Sequence, residues 1–98
     1  MELNSRQRAQ LRGMANTLQP IFQIGKGGVT EEMIEQLSLA LEARELIKIS
    51  VLETAPISAR EAAEELCAPL RAEAVQCIGR KLVLYRESHD NKRIELCR

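Results

Sequence analysis

Residues 46–52, Leu-Ile-Lys-Ile-Ser-Val-Leu, constrain the fold more than any other stretch of this chain. Ile47, Ile49 and Val51 alternate with Lys48 and Ser50, so branched side chains line one face of a strand and polar ones interrupt the other. Helical patterns bound the run on both sides. Before it, Met33, Ile34, Leu37, Ala40 and Leu41 recur at helical spacing up to about Arg44. After it, Ala59, Ala62, Ala63, Leu66 and Cys67 do the same, and Pro69 should end or kink that helix. A strand entered and left through helices pairs by right-handed crossovers, which make neighbouring strands parallel.

The remaining elements follow from periodicity and end signals. Leu11, Met14, Ala15 and Leu18 form one helical stripe, with Asn4 or Ser5 as its cap and Pro20 just beyond it. Ile21 to Ile24 is a short strand. Thr30 can cap the second helix, whose first turn holds Glu31 and Glu32 where the helix dipole favours acids. Ser58 and Glu61 occupy the reciprocal positions of a capping box. Ala74–Ile78 and Lys81–Arg86 are two strands joined by Gly79-Arg80, a spacing that suits a two-residue hairpin with glycine first. After a turn at 88–92, Ile94 and Leu96 predict a last short extended segment against the body. The expected fold is α/β, a small mixed four-stranded sheet with three helices in the order α-β-α-β-α-β-β, and residues 1–98 are expected to form a single domain.

Phe22 and Tyr85 are the only aromatic residues, too few for recognition built on rows of stacked bases. Net charge is zero, but it is unevenly distributed. Residues 1–28 carry four basic side chains against one acidic, residues 29–73 four against ten, and residues 74–98 six against three. If the two basic ends meet in space, one face is positive although the total is neutral. Cys67, Cys77 and Cys97 are odd in number and widely spaced, with His89 the sole histidine. That pattern argues against a zinc site and fits a reducing compartment. No segment has the length of a signal peptide or a membrane span, so a cytoplasmic protein without a membrane partner is expected. A nucleophile paired with a base is missing, as are the glycine spacings of nucleotide hydrolases and dinucleotide-binding proteins. Catalysis, a metal and a cofactor are therefore not expected.

One motif carries chemistry. Ile24-Gly25-Lys26-Gly27-Gly28-Val29-Thr30 joins a strand to a helix through three glycines and one lysine. Small residues let a second backbone come close, while the lysine and free N–H groups suit phosphate oxygens. Read alone, the tetrad is either a tight turn with an exposed lysine or an RNA-backbone clamp.

Four segments together resemble the YhbY / CRM-domain family, named for chloroplast RNA splicing and ribosome maturation. They are residues 19–30 around Gly25-Lys26-Gly27-Gly28, residues 40–49, Val75-Gln76-Cys77-Ile78-Gly79, and Leu82-Val83-Leu84-Tyr85-Arg86. The resemblance covers nearly the whole chain, and this looks like a stand-alone bacterial member. It implies a fold similar to the C-terminal domain of translation initiation factor three, and an RNA-binding role on precursors of the large ribosomal subunit. It also makes the loop Gly25, Lys26, Gly27 and Gly28 the expected RNA contact, beside a basic surface that includes the first helix.

Arg8 and Arg12, one helical turn apart, are the expected helix contribution to that surface. Glu31 and Glu32 would repel phosphate on the axis of their helix, so RNA is expected to cross the loop from the side of Arg8 and Arg12. Lys48 on the central strand and Arg80 and Lys81 at the hairpin are further candidates. A monomer is expected. The alternative function is a protein-interaction module whose acidic helices, 31–45 and 59–73, dock basic ribosomal proteins.

Overall fold

The computed structural model describes residues 3–97; Met1, Glu2 and Arg98, counted above among the terminal residues, lie outside them. The elements are α1 (Ser5–Ala15), β1 (Phe22–Ile24), α2 (Glu31–Arg44), β2 (Leu46–Val51), α3 (Ala59–Leu70), β3 (Glu73–Ile78) and β4 (Lys81–Tyr85). The four strands form one sheet in the order β1-β2-β4-β3. β1 runs parallel to β2, whereas β4 is antiparallel to both β2 and β3. The expected order and strand directions are those observed.

Caps fix where the helices begin. Asn4 opens α1 with a capping box closed by Gln7, and Thr30 accepts the Met33 N–H at the start of α2. Ser58 and Glu61 exchange both capping bonds at the start of α3. Pro69 sits in the last turn of α3, which ends one residue later at Leu70 and is followed by a left-handed Arg71 (φ 55°). Gly79 supplies the positive φ (57°) at the first hairpin position.

The alternation along β2 separates two cores. Ile47, Ile49 and Val51 face α2 and α3, where they pack with Ile24, Leu37, Leu41, Leu66, Leu82 and Leu84. Leu46 faces the other way, with Val75, Val83 and Tyr85, and is covered by Leu11 and Ala15 of α1 and by Ile94. Tyr85 is 1% exposed and Phe22 packs against the larger core, so both rings are committed to folding.

Residues 86–97 form no strand. Side chains hold them instead. Glu45, with 0% exposure and φ 66°, directly follows α2. Its carboxylate accepts the backbone N–H groups of Ser88 (2.7 Å), Arg93 (2.5 Å) and Ile94 (2.6 Å). Glu42, one turn earlier, accepts from the Ser88 hydroxyl (2.6 Å) and from the N–H groups of His89 and Asp90. Gln7 and Gln10 of α1 then bond the backbone of Glu95 and Cys97. The expected terminal segment does pack on the body, through Ile94 and Leu96.

Candidate nucleic-acid interface

The glycine tetrad is a closed β-turn. The Gly28 N–H donates to the Gly25 carbonyl at 3.0 Å, which leaves Lys26 and Gly27 exposed at the tip. Residues just beyond β2 brace the turn from behind, since the Leu52 N–H donates to the Ile24 carbonyl and Pro56 lies against Gly28. Gly28 consumes its own N–H, so the donors left at the tip are those of Lys26 and Gly27. Neither bonds another backbone group among the described residues.

The glycines are not equivalent. Gly28 has φ +64°, and a Cβ there would lie 3.3 Å from Pro56 Cγ, so folding itself demands glycine. Gly27 has an ordinary φ and open space around it, and the fold gives no reason for glycine there. Gly28→Ala is expected to lower stability by about 1–2 kcal/mol, the usual cost of a left-handed conformation at a residue with a Cβ. Gly27→Ala should leave the denaturation midpoint within about 0.5 kcal/mol of the parent protein and act only on ligand binding. Chemical denaturation of the two variants measures the contrast, and equal losses would contradict it.

The basic residues fall into two groups. Several already have partners within the fold. Arg8 donates from Nη1 to the Ala74 carbonyl, and Arg86 ties the Ser38 hydroxyl and carbonyl to the Leu70 carbonyl. Arg80 meets Glu53 at 3.7 Å, and Lys92 meets Glu87 at 3.2 Å. Lys81 donates to the Ser50 hydroxyl at 3.1 Å. Lys26, Lys48 and Arg12 enter no salt bridge among the described residues.

Their placement follows from topology. The turn continues β1 at one edge of the sheet, whereas Arg8 is anchored to β3 at the opposite edge. Arg12 lies one turn further along the same flank of α1, away from the Gln7 and Gln10 side that holds the tail. Lys48, Ser50 and Lys81 lie on the α1 side of the sheet, and Gly79-Arg80 is at the same end as the turn. Lys26 and Arg8 are therefore separated by the width of the sheet. The acidic helices pack on its other face, so most of their carboxylates, Glu31, Glu32 and Glu35 among them, lie across the sheet from Lys48 and Lys81, whereas Glu64 shares a cleft at the β3 edge with Arg8, Glu73 and Gln76. This segregation by face, rather than the meeting of chain ends alone, separates the charge.

Other reactive groups stand apart. His89 is exposed beside Asp90 (3.3 Å), and burial raises the thiol pKa of both Cys67 and Cys77. Among the described residues no helix is long and apolar enough to cross a membrane.

Comparison with known proteins places the chain among similar sequences and one similar fold. The chain is 51% identical over 94 residues to "Probable RNA-binding protein YqeI" of Bacillus subtilis, covering 96% of this chain and 98% of that protein. It is 33% identical over 90 residues to an RNA-binding protein of Haemophilus influenzae, covering 92% and 91% of the two chains. The solution structure of a hypothetical protein from Staphylococcus aureus superimposes with a TM-score of 0.81 at 49% identity, covering 98% of this chain and 100% of that one. A family model described as the CRS1 / YhbY (CRM) domain matches residues 3–86, and the chain belongs to that family.

Proposed function

We propose that this protein binds RNA by its phosphate backbone, with Gly25-Lys26-Gly27-Gly28 as the clamp. The observation that carries the reading is the tip of the turn. It presents an exposed lysine, two N–H groups without backbone acceptors among the described residues and a glycine that the fold does not require. Those are the parts needed to receive phosphate oxygens at close approach. Lys48, Lys81 and Arg12 extend the positive surface from the turn. Arg80 adds charge at the hairpin, reduced by its pairing with Glu53. Arg8 marks the far end of the path, with the rest of its guanidinium fork available beyond the Ala74 bond. The names of the relatives support an RNA ligand.

The substrate we infer is ribosomal RNA in precursors of the large subunit, bound in the cytoplasm by a monomeric, non-catalytic assembly factor. The reading rests on family membership together with a face suited to RNA backbone and lacking an exposed aromatic platform. Residues 1–98 would act as one binding unit.

Titrating the protein with a large-subunit ribosomal RNA fragment at several salt concentrations tests the clamp. Contact with about three to five phosphates gives a log–log slope of about −2 to −4, at roughly −0.7 per phosphate of a single strand. A slope near zero would reject backbone clamping.

A further inference from the structure

The α1 side of the sheet is only half covered. Leu11 and Ala15 rest on Leu46, Val75, Val83 and Tyr85, and further towards the turn the outward positions change character. They are Gln23 on β1, Lys48 and Ser50 on β2, Lys81 on β4, and Gln76 and Ile78 on β3. Gln23, Ser50, Lys81 and Ile78 form one row across all four strands, about 14 Å wide at the usual strand spacing. This row links the β1 edge, where the turn lies, to the β3 edge.

The composition of this patch is selective. It has two lysines and no carboxylate, so its charge suits a polyanion. It also has three groups that phosphate does not need. Neither the Gln23 nor the Gln76 side-chain amide makes a hydrogen bond to another described residue, although each offers a donor and an acceptor. Ile78 is 64% exposed, an apolar side chain left in water among polar neighbours. A paired donor and acceptor match the edge of a nucleobase, and an aliphatic surface matches its face.

We propose that this uncovered half-sheet contacts unpaired RNA bases, with Gln23 and Gln76 on base edges and Ile78 against a base face, while the glycine turn holds the phosphates. The inference rests on the RNA reading above and assigns the preferred ligand class as single-stranded or looped RNA. In a duplex the base faces are stacked and the Watson–Crick edges are already paired, so these three side chains lose their partners. With no exposed ring on the patch, discrimination among bases is modest.

The test measures binding of homopolymeric rA, rU and rC strands and of a blunt RNA duplex by fluorescence anisotropy, for the intact protein and three variants. Gln23→Ala/Gln76→Ala should weaken binding to the preferred strand about tenfold, level the differences among the homopolymers and leave the salt slope unchanged, because no ionic contact is removed. Ile78→Ser should weaken single-strand binding severalfold, with duplex binding unaltered. Lys26→Ala should instead flatten the salt slope by about 0.7. If the glutamine and isoleucine variants bind every probe as the parent does while Lys26→Ala weakens binding, the base-contact inference fails and the clamp stands. Equal affinity for duplex and single strands also overturns it. If the folded parent protein binds none of the RNAs, the underlying reading fails as well. All four substituted positions are at least partly solvent-accessible, and a thermal melt of each variant checks that the fold is retained.

Discussion

Glu45→Ala should lower the unfolding free energy by about 3–5 kcal/mol, as expected when a buried charged hydrogen-bond partner is removed. Three backbone N–H groups, from Ser88, Arg93 and Ile94, converge on this one carboxylate. Hydrogen bonds to a charged group contribute about 1.5–3 kcal/mol each, and three sharing one acceptor do not add in full. The released segment would also withdraw Ile94 from the smaller core beneath α1. Glu45→Gln, which keeps the volume and one carbonyl acceptor, should lose less. Urea denaturation measures both, and a loss below about 1 kcal/mol for the alanine variant would rule out this account.

The same hub makes the fold acid-sensitive in a defined direction. Burial opposes ionisation of Glu45, but hydrogen bonds from Ser88, Ile94 and Arg93 together hold its carboxyl below the ordinary range. The Ser88 hydroxyl and the N–H groups of His89 and Asp90 lower Glu42 from 4.5 to about 2. Both carboxyls bind protons more weakly in the folded chain than in the unfolded one. Their stabilisation is thus complete above 4.5 and, for Glu42, is lost as pH falls from there through about 2. In Glu42→Gln that part of the acid dependence should be missing.

Lys26→Ala combined with Arg12→Ala should weaken RNA binding about 10- to 100-fold, the effect of losing two charge-assisted phosphate contacts at an exposed surface. Thermal stability should stay unchanged, because both residues are exposed and neither enters a salt bridge among the described residues. Most of the loss is expected from Lys26, which sits at the tip of the turn. On the proposed reading Arg12, on the same flank of α1 as Arg8, adds charge along the path from the turn. Affinity equal to that of the parent protein would sink the clamp. A large loss accompanied by a lower melting temperature would mean that the residues hold the fold instead.

Much of this was legible locally. Helix starts at Asn4, Thr30 and Ser58 depend on side chains reaching N–H groups three residues away, and such short-range bonds are written into the order of residues. The alternation at Leu46–Val51 and the Gly79-Arg80 hairpin are local in the same sense. The role of Glu45 was not legible, because its partners lie more than forty residues away and a buried glutamate after a helix looks like any other. The fates of Arg8 and Arg86 were hidden for the same reason. As basic residues they read as surface charge, yet both donate to backbone carbonyls of distant segments.

The sequence by itself determined the element order, the strand directions and the presence of a glycine turn ending in a helix, since periodicity, caps and turn residues act over a few positions. Only the tertiary structure decided which glycine serves the fold and which is free for a ligand, because that depends on Pro56 packing behind Gly28. It also decided that α1 leaves half of one sheet face open. The cover ends at the row of Val83, where Lys48 and Gln76 flank it, and one row further Ser50, Lys81 and Ile78 continue a surface that strand pairing alone brings together.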